Sequence, residues 1–142
     1  MQKTTNELMN ELTSVTDVEK FLEENQDELL DISLSEYLRQ LLQKYGLDKS
    51  EIFQRAGMKD NNYGYEIFRS DKKKASREKL IRICIGFPLT IEETQQVLKL
   101  GKVSPLYPRD TRDALILYGL KKGYDLNKLN DLLFEKGEDL FE

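Results

Sequence analysis

From Leu34 onward the apolar residues of this chain recur at spacings of three and four, and sustained two-residue alternation occurs nowhere, so the pattern predicts helices and no sheet. Leu34, Tyr37, Leu38, Leu41 and Leu42 fall on one face of a helix over 34–45. Ile52, Phe53 and Ala56 mark a two-turn helix over 51–56, and Tyr63, Ile67 and Phe68 a third over 61–69. Further helices are predicted over 77–86, 91–100, 110–121 and 126–136, and two shorter acidic ones over 6–12 and 17–24.

The helix starts are marked by capping chemistry. Thr16 with Glu19, Ser33 with Glu36, Asp48 with Glu51 and Thr90 with Glu93 each place a hydroxyl or carboxylate three residues ahead of a glutamate, which lets the two side chains satisfy each other's orphan backbone donors. Gly46 and Gly101 follow periodic runs and read as left-handed caps, Gly57 closes the segment ending at Ala56, and Pro88 stops the helix over 77–86. Ser104-Pro105-Leu106-Tyr107-Pro108 reads as an extended linker, because proline disfavours helix in the residue before it. The organisation expected is therefore all-α: an acidic helical extension over 1–33, a helical module over 34–103 and a helical hairpin over 104–142.

The last two helices echo the two before the linker at an offset of thirty-five residues. Arg77 aligns with Arg112, Leu80 and Ile81 with Leu115 and Ile116, Thr90 with Asp125, and Val97 and Leu98 with Leu132 and Leu133. Either one hairpin is used twice, or two capped amphipathic hairpins look alike. A repeat this short needs packing against the rest of the chain or a second subunit.

Composition narrows the chemistry. The chain has no histidine and one cysteine, which excludes Ser-His and Cys-His nucleophile activation, imidazole-dependent zinc sites and thiolate clusters. Cys84 lies in the apolar run 80–85 and reads as a small core hydrophobe. The carboxylates are explained by caps and outer faces, so no enzyme, cofactor or metal is expected. No apolar stretch reaches the ~20 residues of a membrane span, and a cytoplasmic location is expected. The net charge of −4 is unevenly spread. Residues 1–33 carry two basic and nine acidic side chains, residues 34–103 fourteen and nine, and residues 104–142 six and eight. The positive excess is confined to the middle, where a local footprint for an anionic partner would form.

Five short helices between Leu34 and Leu100 carry Leu47-Asp48-Lys49-Ser50-Glu51-Ile52-Phe53-Gln54-Arg55-Ala56-Gly57-Met58, Ile67-Phe68-Arg69-Ser70, Lys72-Lys73-Lys74 and Ser76-Arg77-Glu78-Lys79-Leu80. Over about half of the chain this resembles the Xre/Cro, phage-repressor-like family of bacterial regulators, and 106–134 is similar to an extension on small Gram-positive members. The resemblance implies a five-helix DNA-binding module, double-stranded DNA as partner, a homodimer, and a recognition helix in a major groove about 12 Å wide. Asn61, Asn62, Tyr65, Glu66 and Arg69 would then face the bases. Lys49, Ser50, Lys59, Lys72, Lys73, Lys74 and Arg77 would hold phosphates. Phe53 stands where the family prefers a small residue, Gly64 interrupts the recognition helix, and the turns around 58–62 and 69 are each about one residue longer. The alternative is a regulator that keeps the module but binds a protein, using the acidic helices of 1–33. A lysine run in a turn is also compatible with a solvated loop, and Asn61 and Asn62 with turn formation.

Overall fold

Helix α1, Leu34–Tyr45, begins where the Ser33 hydroxyl accepts the Glu36 N–H at 3.2 Å and ends at Gly46, whose φ of 64° is the left-handed cap read from the sequence. The computed structural model describes residues 4–5, 32–58, 62–69 and 74–142, with the side chains of Asn62 and Tyr63 outside that description. The chain divides into two units, residues 1–31 and Ile32–Glu142. The helices expected over 6–12 and 17–24, with the Thr16–Glu19 pair, lie outside the described residues. Seven helices and no strand occur among the described residues, which are all-α.

Helix α2, Lys49–Arg55, starts two residues earlier than its apolar pattern suggests, because the Asp48–Glu51 box is fully formed. The Glu51 N–H donates to Asp48 Oδ1 at 2.8 Å and the Asp48 N–H to Glu51 Oε1 at 3.4 Å. Helix α3, Asn62–Arg69, buries Ile67 and Phe68. Helix α4, Arg77–Gly86, is capped by Ser76 and buried on nearly all sides through Leu80, Ile81, Ile83, Cys84 and Ile85. Helix α5, Ile91–Leu100, opens with the complete Thr90–Glu93 box. Helices α6, Thr111–Lys122, and α7, Leu126–Glu135, are capped by Asp110 and Asp125. Helix α1 packs on α3 and α5, and α2 packs on α4.

Two glycines serve packing rather than conformation. The sequence pattern predicts a left-handed cap at Gly101 after α5, but its φ is −76°, and Lys102 takes positive φ at 59°. The reason is steric: a Cβ on Gly101 would collide with Leu80 Cδ1, so glycine lets α4 approach, and the turn is made one residue later. A Cβ on Gly86 would meet the Ile52 backbone oxygen at 2.5 Å, which fixes how closely α2 lies on α4. Gly86→Ala is therefore expected to push these helices apart and cost about 1–2 kcal/mol, read as a shift of the urea midpoint.

The linker does not run free. Leu106 is buried, and the Gln95 amide brackets its backbone, with Nε2 donating to the Leu106 carbonyl at 2.8 Å and Oε1 accepting its N–H at 2.7 Å. Thirty-five residues on, Asn130 brackets buried Phe141 in the same way at 2.9 and 2.8 Å. Arg77 Nε donates to the Ser104 carbonyl, and Arg112 Nε to that of Asp139. The turns after α5 and α7 also match, with the Val103 N–H on the Leu98 carbonyl and the Glu138 N–H on that of Leu133. The hairpin is thus used twice.

The two copies are related as partners in a pair. Arg77 Nη2 meets Asp113 Oδ2 at 2.6 Å, while Arg112 Nη1 meets Glu78 Oε1 at 2.5 Å. Exchanging the hairpins exchanges these ion pairs, as it exchanges the α4–α7 packing with the α5–α6 packing. That reciprocity belongs to a local twofold. It closes on itself, whereas stacked repeats would leave an open series.

Candidate nucleic-acid interface

The candidate surface is built on α2 and α3. Phe53 of α2 and Phe68 of α3 meet edge to face, with ring centroids 5.6 Å apart, and Phe68 stacks at 6.4 Å on Phe87 beyond α4. Phe53 thereby joins an aromatic cluster that sets the spacing of α2 and α3. Tyr65 lies edge-on to Phe53 at 4.8 Å and remains exposed. With Ile67 and Phe68 inward, Tyr65 and Arg69 are exposed on α3 and Glu66 is half-buried.

Two arginines that the sequence pattern does not single out hold this surface. Arg39 Nη1 donates to the Phe68 carbonyl at 2.9 Å, placing a cation at the negative end of the α3 dipole. Arg82 donates to the carbonyls of Ala56 at 3.1 Å and Gly57 at 2.9 Å, pinning the turn between α2 and α3. The available signal for Arg82 is a charged residue interrupting the apolar run 80–85.

The expected phosphate contacts divide. Lys74 is exposed just before α4, and Lys49 is half-buried at the start of α2. The Ser50 hydroxyl donates to Asp48 Oδ1 at 2.8 Å. The Glu51 N–H, and after it the Ser50 hydroxyl, hold the Asp48 carboxyl below its usual range, and Glu51 lies beside it at the start of α2. Arg77, expected to hold a phosphate, is committed elsewhere: its guanidinium reaches the carbonyls of Ser104 at 2.8 Å and Pro105 at 3.1 Å as well as Asp113. The first turn of α4 faces the linker, which draws this side chain inward. Asn61, Lys59, Lys72 and Lys73 lie outside the described residues, and of Asn62 only the backbone is described, in the first turn of α3.

Away from this surface, Cys84 is fully enclosed, and burial pushes its thiol up, so it is no thiolate nucleophile. No group of three or more His, Cys, Asp or Glu able to hold a metal occurs among the described residues. No helix among them is long and apolar enough to cross a membrane. Comparison of the chain with protein-family models, with curated proteins and with solved structures gives no match.

Proposed function

We propose that this chain is a DNA-binding transcriptional regulator of the helix-turn-helix class, in which α1–α5 form a phage-repressor-like module and α3 enters the major groove. The observation that carries the reading is the α2–α3 pair: two short helices joined through Gly57, which has a φ of 66°, with Phe68 enclosed against Phe53, and with Tyr65 and Arg69 outward. Such a pair presents one short helix on a rigid base, and its outward side chains are suited to base edges. Asn61, Asn62 and Glu66 complete the proposed reading set. Lys49, Lys59 and the 72–74 lysines supply the cationic flank, Ser50 the polar start of α2, and Arg77 a structural clamp. One short helix reads few base pairs, so a homodimer on paired half-sites in the cytoplasm is part of the proposal.

The test is enrichment of bound sequences from a random DNA pool, followed by affinity measured against salt. Replacing Lys72, Lys73 and Lys74 together by alanine is expected to weaken binding and to reduce the log–log salt slope by about 2–3, since each phosphate contact contributes ~0.9. An Asn61→Ala, Asn62→Ala, Arg69→Ala variant is expected to abolish sequence preference while leaving weak nonspecific binding. Absence of enrichment at low salt overturns the reading.

One observation favours a second reading, a degenerate module that binds a protein. The start of α2 carries Asp48 and Glu51 where a phosphate would dock, and Arg77 is spent internally. Under that reading, partner binding changes little with salt and survives loss of the lysine run.

A further inference from the structure

The local twofold gives every residue of the first hairpin a counterpart in the second, and the two copies differ in what covers them. In the first, Leu80, Ile83 and Val97 are completely enclosed. They lie on the side that carries the rest of the module: α1 packs along α5, Leu34 comes beside Gly101 and Leu80, and Phe68 stacks on Phe87 at the end of the stripe. In the second hairpin the counterparts are Leu115, Tyr118 and Leu132. Tyr118 is 49 % exposed, and the two leucines are only partly buried. The same helical face is thus filled in one copy and open in the other.

The charge on that face is inverted. In the first copy, α1 delivers Lys44 to Glu93, with Nζ to Oε2 at 2.6 Å, in the first turn of α5. The counterpart of Glu93 is Lys128, in the first turn of α7. A lysine there works against the helix dipole, which favours anions at this end. The Lys128 ammonium lies 4.5 Å from the Tyr124 ring centroid and that of Lys122 5.7 Å from Tyr118, and the two rings meet edge to face at 6.0 Å. Neither lysine is ion-paired among the described residues. The patch is two cations held on an aromatic pair beside an apolar stripe. An isologous contact between two copies would bring this cationic patch towards its own image.

We infer that the open α6–α7 face docks an amphipathic helix of a partner protein, laid as α1 lies on α5, with an aspartate or glutamate where α1 carries Lys44. This is separate from the DNA reading: α3 is the surface proposed for nucleic acid, and this face gives the chain a protein input.

The experiment uses the full chain as bait for a displayed library built on the segment Ser33–Gly46. Its apolar positions vary among aliphatic and aromatic residues, and position 44 is fully randomised. Acidic residues are expected to be enriched at position 44 by about fivefold over lysine, the scale of an exposed ion pair. On Lys128→Glu bait the preference is expected to reverse towards lysine, which a merely structural role for Lys128 would not produce. On Tyr118→Ala bait, binding is expected to drop about tenfold. Both replaced side chains are exposed, so the folded baits can be verified by their unfolding transitions. The inference is overturned by failure of any helix to bind, by an unselected position 44, or by a preference that persists on Lys128→Glu. Concentration-dependent self-association that Lys128→Glu abolishes would reassign the face to a second copy.

Discussion

Asp113→Ala is expected to cost about 2–3 kcal/mol, because it removes the buried partner of a part-buried ion pair and, with it, the acceptor of a backbone donor. The Asp113 side chain is only 8 % exposed, and its Oδ2 accepts both Arg77 Nη2 at 2.6 Å and the Tyr107 N–H at 2.9 Å. Without it, Arg77 keeps the Ser104 and Pro105 carbonyls but no counter-charge, and the backbone donor of Tyr107 loses its acceptor. The twofold-related position supplies the control. Glu78 makes the same kind of contact, to Arg112, through both carboxylate oxygens, but is itself 48 % exposed and accepts no backbone donor there, so Glu78→Ala is expected to cost less, about 1–2 kcal/mol, which is set by the Arg112 guanidinium left at 16 % exposure. Urea unfolding of the two variants separates them. Equal losses would mean that the reciprocity is geometric only and that burial does not set the energetics. A double replacement, Arg77→Met with Asp113→Leu, is expected to recover part of the loss, since an apolar pair needs no compensation for desolvation.

The paired hairpins also show what could be read from the sequence. Caps are local: Ser33, Asp48 and Thr90 each act on the backbone three residues ahead, and their helices start where the residue types place them. The 35-residue echo was also visible, because paired apolar positions and the two arginines recur in register. Its twofold character was not, since it resides in contacts between residues more than thirty apart, Arg77 with Asp113 and Arg112 with Glu78. Gly101 shows the limit of local rules: a glycine after a periodic run is usually a conformational cap, yet here it is required by a leucine from another helix.

The candidate interface was legible to a similar degree. The outward placement of Tyr65 and Arg69 follows from helical periodicity once Ile67 is inward. The Ser50–Asp48 contact is local and was within reach of the same reasoning. The internal commitment of Arg77 was not, because nothing near it in sequence marks Ser104 or Asp113 as a partner. Arg39 escaped notice for the same reason, its acceptor being twenty-nine residues away.

Glu93 is the place where local and tertiary chemistry meet, and its replacement should show both. Its carboxylate completes the capping box of α5, taking the Thr90 N–H at 3.0 Å, and also receives Lys44 Nζ at 2.6 Å and the Tyr45 hydroxyl from α1. Burial pushes this carboxyl up, but the hydrogen bonds from Lys44, Tyr45 and the Thr90 N–H outweigh it, and the net shift is downward from 4.5. A depressed carboxyl stabilises the fold fully above its unfolded value and loses that contribution as pH falls through its folded value. Glu93→Gln is therefore expected to cost about 2 kcal/mol at neutral pH, the scale of hydrogen bonds to a charged group. The gap should then close as pH is lowered below 4.5, where the native side chain itself becomes neutral. On the alkaline side the Lys44 and Tyr45 values are both raised, by the Glu93 hydrogen bond for lysine and by burial and then Glu93 for tyrosine. Their share of the stability is full below their unfolded values and disappears as pH rises through the raised ones. Urea unfolding at several pH values reads both limbs. A difference between the native chain and the Glu93→Gln variant that stays constant from neutral to acid would show that Glu93 acts through its shape and hydrogen-bond geometry and not through its charge.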